Sequence, residues 1–447
     1  MSPRRGACAA LLLATAVPPG PVPCLEAQAD PAAAMETVTL DEAVRRATSF
    51  DPDYIQALGR IDNAEWSRTA AITQFIVPSI QATGSLTKFS SPFFNIGTAE
   101  QSDQIVQAQL QGSLPLFRGG GRFAELNRAG AEIDASVANE VQALYQTALD
   151  TESDYYAVLA AGELVEVAAE RTGRAEEQLV IARARVTSGA AVRTDSLQLL
   201  LELTRARVDL LGREADLRVA RFQLGRRVGA AGAVDAVPLD EPTARPLPLS
   251  ETEAVRQALD AGPEVLAARA EERSAGSALS VRRAAFSPQV DLVGSISAFD
   301  DQLFPTATVR SSAGISVSIP VWTGGQREVQ LSQARAERDV ARARRADVEG
   351  AVRSDVVQAY AAYNTARASA ELAEQAVLVA TENLSVQESR YRGGATTILD
   401  LLTAQVDLAD AEAQRVQARQ STRLALAGLE ALLGRRLFPD RIEPRSP

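Results

Sequence analysis

The sequence predicts a mostly α-helical chain with a small transmembrane β part, written twice along its length. Three observations predict it. Residues from Leu40 to about Leu224 and from Leu249 to about Leu433 repeat one order of signals: helix, proline, two alternating strands, a double glycine, a very long helix, a glycine-marked turn and a return helix. Four segments alternate apolar and polar side chains. Two proline-free stretches of about 65 residues would each span on the order of 100 Å as a helix.

The repeat is carried by particular residues. Ala43-Val44 and Pro52 answer Ala254-Val255 and Pro263, and Val77-Pro78-Ser79-Ile80 answers Ser287-Pro288-Gln289-Val290. Ser113-Leu114-Pro115-Leu116-Phe117-Arg118-Gly119-Gly120 answers Ser318-Ile319-Pro320-Val321-Trp322-Thr323-Gly324-Gly325, and Val186-Thr187-Ser188-Gly189 answers Tyr391-Arg392-Gly393-Gly394. Such duplication points to a symmetric assembly rather than to an enzyme with one asymmetric pocket.

In order along the chain, residues 1–29 read as a secretory signal. Arg4 and Arg5 precede an apolar run from Ala7 to Val17, and Ala27-Gln28-Ala29 offers a small-residue cleavage site. Cleavage there removes both cysteines, Cys8 and Cys24. Cys24 as a lipid-bearing terminus is the alternative, disfavoured by Val22-Pro23 in front of it.

The first structural repeat covers residues 30–227. Asp51-Pro52 starts a helix, because aspartate caps free amides and proline fits the first helical position. A strand pair follows at about 79–117. Ile80, Ala82, Gly84 and Leu86, then Val106, Ala108, Leu110, Gly112, Leu114 and Leu116, occupy alternate positions opposed by Gln, Ser and Thr. In the second repeat, residues 250–433, the strand pair at about 289–322 places Val290, Leu292, Gly294, Ile296 and Ala298 on one face. Val309, Ala313, Ile315, Val317, Ile319 and Val321 form the matching set. The strand lengths suit a tilted membrane strand, and the uncharged polar face suits a water-filled lumen. Four strands cannot close a barrel, so several chains must contribute. Phe89, Phe93, Phe94, Phe299 and Phe304 mark one rim, and Phe117 with Trp322 the opposite aromatic girdle.

The long helices are expected at about 122–187 and 326–392. In the second, Val356, Ala359, Tyr363, Ala366, Ala370, Ala373, Val377, Ala380 and Leu384 are spaced alternately three and four apart, a coiled-coil seam. Return helices follow at 192–227 and 396–433. Each short pair of helices roughly equals one long helix, so the two stack along it and build a wall. Residues 228–249, rich in Pro, Ala and Gly, read as an equatorial linker outside that wall, and 434–447 as a loose C-terminal tail.

These features together resemble the TolC-type outer-membrane efflux proteins over nearly the whole mature chain. The residues that carry the resemblance are the two strand entries, Leu-Pro-Leu-Phe-Arg-Gly-Gly-Gly, and Tyr391-Arg392-Gly393-Gly394-Ala395-Thr396-Thr397-Ile398-Leu399-Asp400-Leu401-Leu402. The resemblance implies a homotrimer whose chains each give four strands to a twelve-stranded barrel, continuous with a periplasmic α-helical tunnel. It implies passive conduction as the exit duct of a tripartite efflux or type I secretion system, with a periplasmic adaptor and an inner-membrane pump as partners. Val186, Gly189, Tyr391, Gly393 and Gly394 match the family's adaptor-docking tip. Asp400, and Asp195 in the first repeat, match residues at the pore aperture, where a ring of carboxylates would favour cations and raise its own pKa values. Helix capping is the competing role for Asp400. The chain departs from the family pattern at Thr403, where a second aspartate can lie, and at Thr396, which replaces a basic tethering residue.

Charge and composition exclude other classes. The balance of 57 acidic against 46 basic residues, net −11, argues against a nucleic-acid surface. The chain has no histidine, which removes the commonest general base, and no catalytic, cofactor or metal site is expected. Paired carboxylates such as Glu176-Glu177 and Glu271-Glu272 read as solvated helix faces. Arg118-Gly119-Gly120-Gly121-Arg122 lacks the lysine and hydroxyl of a phosphate loop and reads as a strand-to-helix hinge. The alternative to a channel is a secreted periplasmic coiled-coil scaffold or adaptor whose strands form a small soluble sheet.

Overall fold

The computed structural model describes residues 35–95, 100–239, 245–300, 308–438 and 444. The signal segment, Phe304 and most of the tail beyond Phe438 lie outside these residues. The first repeat runs β1 (Glu36–Val38), α1 (Leu40–Phe50), α2 (Pro52–Ile76), β2 (Ser79–Asn95), β3 (Glu100–Arg118), α3 (Gly121–Thr187) and α4 (Arg193–Arg227). After β4 (Val234–Ala236) the second repeat runs α5 (Glu251–Ala261), α6 (Pro263–Ala284), β5 (Gln289–Asp300), β6 (Thr308–Ser318), α7 (Gln326–Arg392) and α8 (Ile398–Leu433).

Local chemistry sets the boundaries. The Asp51 carboxylate accepts from the amides of Asp53 and Tyr54, both at 3.0 Å, with Pro52 at the first helical position. Both long helices begin on a left-handed glycine, Gly120 (φ 78°) and Gly325 (φ 79°). A side chain at neighbouring Gly119 would meet Ser287 Cβ at 2.3 Å, so this turn is sterically closed as well as conformationally special.

Each long helix has 67 residues, against 25 and 35 for α2 and α4, and 22 and 36 for α6 and α8. Their packing makes a wall ordered α2-α3-α6-α7 toward the strands and α4-α3-α8-α7 toward the turns. The seam read on α7 is where that wall closes: Val356, Tyr363, Ala370, Ala373 and Leu384 are buried. The small residues between the larger ones let the helices approach closely. Beside the strands, α2 and α7 share no packed seam, yet with α3 and α6 they line one cavity of about 800 Å³ that holds Arg60, Glu132, Glu271, Glu337 and Arg344.

The inter-repeat segment is not an outlying linker. β4 pairs in parallel with β1, and Leu224, Val228, Val234 and Ala236 join Val38, Ala43, Tyr155, Tyr156 and Val158 in one core. Tyrosine hydroxyls on both long helices pin it. Tyr155 donates to the Val237 carbonyl at 2.6 Å, Tyr363 to Arg245 at 2.7 Å and Tyr360 to Leu249 at 3.3 Å. Three-residue strands are too short to register as alternation, which is why the sequence reading passes over β1 and β4. The start of the tail is corrected too. Leu437 is buried with Ala254, Val352, Val356 and Leu429, and Arg436 is held by Glu430 and Glu152.

The four long strands form one antiparallel sheet in the order β2-β3-β5-β6. Cross-strand partners share faces, as in Leu110↔Ile296 and Leu292↔Ile315 on the apolar side and Gln109↔Ser297 and Ser295↔Ser312 on the polar side. The apolar side is bare: Ile80, Leu86, Ile296 and Ile315 are all exposed. The polar side is not wholly uncharged, because Arg118 faces Asp291 at 3.8 Å. A bulge between Pro115 and Phe117 shifts the register so that Phe117 lies opposite Val290. Strict alternation would put Phe117 on the polar side; the extra residue turns it to the apolar one. β6 ends at Ser318, short of the predicted Val321, because Pro320 has no amide for the ladder.

One consequence is directly measurable. Ile296→Arg, on the bare apolar face, is expected to destabilise the membrane-inserted state by about 2–4 kcal/mol, whereas Ser295→Arg, on the opposite face between Gln111 and Ser312, is tolerated. Folding into lipid vesicles, read by resistance of the strands to protease, separates the two, and equal protection would refute the assignment of faces.

Candidate functional site at the helical turns

The two glycine-marked turns have one geometry. Gly189 (φ 79°) and Gly394 (φ 73°) are left-handed. The Gly189 and Gly394 amides donate to Val186 and Tyr391, each at 3.1 Å, and the Ala190 and Ala395 amides donate to Arg185 and Arg390, each at 2.8 Å. This paired pattern closes both long helices by satisfying carbonyls that helix ends leave free, and only glycine adopts the bend without strain. Gly393 has a different role from Gly394. At φ −77° it is the last right-handed residue, matched by Ser188 at φ −79° in the first repeat.

A shared core brings the turns together. Ala175, Leu179, Ala182, Leu199 and Leu203 from α3 and α4 pack with Leu384, Tyr391, Ile398, Leu401, Ala404 and Leu408 from α7 and α8. Tyr391 is only 3% exposed, so most of it belongs to this core. Val186 is half-buried and Gly189, Gly393 and Gly394 are exposed.

Arg185 was not singled out in the sequence and is the main tie between the repeats here. Its guanidinium lies over the Tyr391 ring at 4.7 Å, donates through Nη1 to the Tyr391 carbonyl, and reaches the Ala190 carbonyl at 3.5 Å through Nη2. One cation therefore clamps the end of α7 to the turn after α3. Its only sequence signal is its position, four residues before Gly189, matched by Arg390 before Gly394. Gln178, buried on α3, adds a second tie by donating to Glu388 at 3.1 Å.

The two aspartates stand in different settings. Asp195, half-buried in the first turn of α4, acts on Tyr391 through its charge. Burial first, and then Asp195, push the Tyr391 phenol above its ordinary range, while Arg185 opposes them. Asp400 is exposed and closes a capping box with Thr397. It accepts from the Thr397 hydroxyl at 2.7 Å and amide at 3.1 Å, while the Asp400 amide donates to the Thr397 hydroxyl at 3.3 Å. Thr396, in place of a basic residue, donates to the same carboxylate at 2.8 Å. The hydrogen bonds from Thr397, then Thr396, hold the Asp400 pKa below the usual aspartate range. Within one chain this is opposite to the rise expected of a carboxylate ring, because local donors stabilise the charged form.

Lowered pKa fixes the sign of a pH effect. Asp400 supports the start of α8 above the ordinary aspartate range, and this support fades as pH falls through its depressed value. Asp400→Asn is expected to make fraying of the first turn of α8 independent of pH, read by amide hydrogen exchange from Ile398 to Leu402.

Among the described residues no helix is long and apolar enough to cross a membrane.

Comparison with known proteins joins these features to one family. The profile described as outer membrane efflux protein matches residues 44–230 and 254–435, once per repeat. Outer membrane efflux protein BepC of Brucella suis is 29% identical over 58% of this chain, and the chain spans 57% of its length. Pyoverdine export outer membrane protein OpmQ of Pseudomonas aeruginosa is 26% identical over 88% of this chain and 85% of its own. Among solved structures, the outer membrane protein VceC of Vibrio cholerae superposes with a TM-score of 0.75 at 19% identity, covering 89% of this chain and 97% of that one. The open state of the MtrE outer membrane channel of Neisseria gonorrhoeae gives 0.73 at 20% identity, covering 89% of each.

Proposed function

This chain belongs to the outer membrane efflux protein family, and we propose from that premise that three copies form a passive duct through the outer membrane. The observation that carries the proposal is the open sheet. Its apolar side is bare, its opposite side carries Gln and Ser, and β2 and β6 each have an unpaired edge. Unpaired edges in hydrocarbon leave backbone amides unsatisfied at several kcal/mol each, so membrane insertion requires neighbours that close the ring. Three chains of four strands give twelve, and the helical walls then enclose a tunnel on the periplasmic side. Energy and cargo selection come from an inner-membrane pump reached through a periplasmic adaptor.

In this reading the turns at Gly189 and Gly394 are the adaptor-docking tip, with Val186, Gly393 and the edge of Tyr391 beside them. Asp195 and Asp400 lie at the aperture, and Asp400 serves as a helix cap as well. The domain division follows the repeats, with residues 228–249 as the equatorial joint.

The duct reading predicts that the protein stays in salt-washed outer membranes, extracts with detergent as a trimer, and gives conductance steps in planar bilayers. An elongated soluble particle without conductance refutes it and restores the scaffold alternative. If Asp400 lines the aperture, Asp400→Asn alters conductance or its block by divalent cations. Unchanged values in both measurements remove it from the aperture.

A further inference from the structure

We propose that the outer edge of α7 docks a second copy of this chain, and that Trp66 on α2 of that copy is the anchor, seated over Ala336. Beside the strands α2 and α7 are the outermost helices of the wall, α2 packed along α3 and α7 along α6. On α2, Trp66 stands two positions from buried Ala64 and Ile55 two from buried Ala57. At about 100° per residue both turn away from α3. Trp66 is 73% exposed.

The outer edge of α7 complements that ring. Val329, Ala336, Ala343, Gly350 and Val357 recur every seven residues and all are exposed. Ala336 and Gly350 each stand two positions from a buried residue, Ala334 and Val352, and Ala343 two from Arg345, which pairs with Glu272 of α6 at 2.6 Å. A seven-residue apolar repeat facing out of the wall is a coiled-coil seam without its partner, and its small side chains at Ala336 and Ala343 leave room for a large ring. Toward the turns the same edge continues through Leu372 and Val386, and the outermost helix there is α4, whose Leu201 and Val208 are bare in the same way.

The occupant follows from connectivity. Sheet and wall run in one order, because α2 leads into β2, β3 into α3, α6 into β5 and β6 into α7. Pairing the free edge of β2 with the free edge of β6 in the next copy therefore lays α2 beside that copy's α7. A rotation that closes a ring keeps every residue at its height. Trp66 lies twelve residues before Pro78 and Ala336 twelve after Gly324, so both stand about 18 Å from the strands at the helical rise. The cavity fixes the same level independently, since Asn63 and Ser67 line it together with Ala336 and Val340. Charge agrees. Glu65 stands two positions from cavity-lining Ser67, and Arg335 and Arg342 stand two positions from cavity-lining Glu337 and Arg344. All three turn to the side opposite the cavity, and none has an ion-pair partner among the described residues. Docking brings the carboxylate of one copy beside the guanidinium groups of the next.

The proposal rests on the three-copy reading, and the test separates the two. Gly59, nineteen residues before Pro78, and Ala343, nineteen after Gly324, share a level and leave Trp66 in place; a Cβ at Gly59 meets nothing within 4 Å. Detergent-extracted trimers of full-length Gly59→Cys/Ala343→Cys are treated with a short bismaleimide and run on denaturing gels. Covalent dimers and trimers are expected. Each single variant, and Gly59→Cys/Val386→Cys with its second site about 65 Å farther along α7, should give monomers only. Trp66→Ala is expected to raise the concentration at which trimers dissociate on dilution in detergent by about thirtyfold or more, as loss of an interface anchor does. Its helical circular dichroism should be unchanged, because the ring is exposed in its own chain. Trimers without a covalent ladder, or with one equal to that of the controls, overturn the seam while leaving the duct intact. Unchanged dissociation of Trp66→Ala, or loss of its helical signal, overturns the anchor. Wild-type protein that extracts only as monomers overturns the three-copy reading instead.

Discussion

Arg436→Ala is expected to destabilise the fold by about 3–5 kcal/mol, because it strips the cation from two buried carboxylates. Arg436 is held by Glu430 at 2.7 Å and by Glu152, with all three side chains at most 6% exposed. Glu430 also accepts from the Leu437 amide at 2.9 Å, so the carboxylate is fixed from two directions. Charges taken out of water gain little net stability as a set, but removing one member takes its compensation away from the buried others. The cluster connects α3 of the first repeat, α8 of the second and the residues following α8, and its loss loosens their junction from three sides. Thermal unfolding of the detergent-solubilised protein, followed by circular dichroism, reads the effect. Arg436→Met combined with Glu152→Gln and Glu430→Gln should recover a large part of the loss. A midpoint unchanged in the single variant would show that the cluster carries little of the folding energy.

Arg185→Ala carries the second large effect, which, with the turns at the mouth of the proposed duct, is read in conduction rather than in folding. The guanidinium holds the Tyr391 ring and carbonyl and the Ala190 carbonyl together across the repeats. A cation over an aromatic ring and a charged hydrogen bond in this partly buried setting contribute together roughly 2 kcal/mol, which shifts an equilibrium between closed and parted turns by roughly thirtyfold. Single-channel recordings should show a larger open fraction. Arg185→Lys keeps the charge and loses the planar stacking and paired donors, so it should lie between wild type and alanine. Identical dwell times in all three would mean that the turns are held by their shared apolar core alone.

The two effects differ in kind because of where the residues lie. In the Arg436 cluster, burial near completeness makes loss of a charge partner costly. At the turns, Gly189, Gly394 and Asp400 remain exposed and Arg185 is only half-buried, so a broken tie changes the population of states more than the stability of the chain.

Much of this architecture is legible in the residues because it follows from local rules. Alternation assigns faces to the strands, the three-and-four spacing from Val356 to Leu384 finds the seam of α7, and Asp51-Pro52 and the paired glycines mark where helices begin and end. The capping role of Asp400 is equally local, since its partners Thr396 and Thr397 lie within four residues. Other features depend on atoms distant in sequence. Arg185 meets Tyr391 across 206 positions and Arg436 meets Glu152 across 284, and no period or motif links either pair. The bulge that turns Phe117 toward the apolar side also leaves no mark in composition, because it is a register choice made between β3 and β5.

By itself, the sequence determined the duplicated order of the long elements, the two faces of the four long strands up to the bulge at Phe117, and the left-handed turns, since each is governed by backbone geometry within a few residues. Tertiary structure alone decided that the inter-repeat segment is pinned into the core, that Arg185 ties the two turns, and that the chain folds back over its own core after α8. These contacts arise when two copies of one unit pack side by side, and their energies come from burial that no single copy provides.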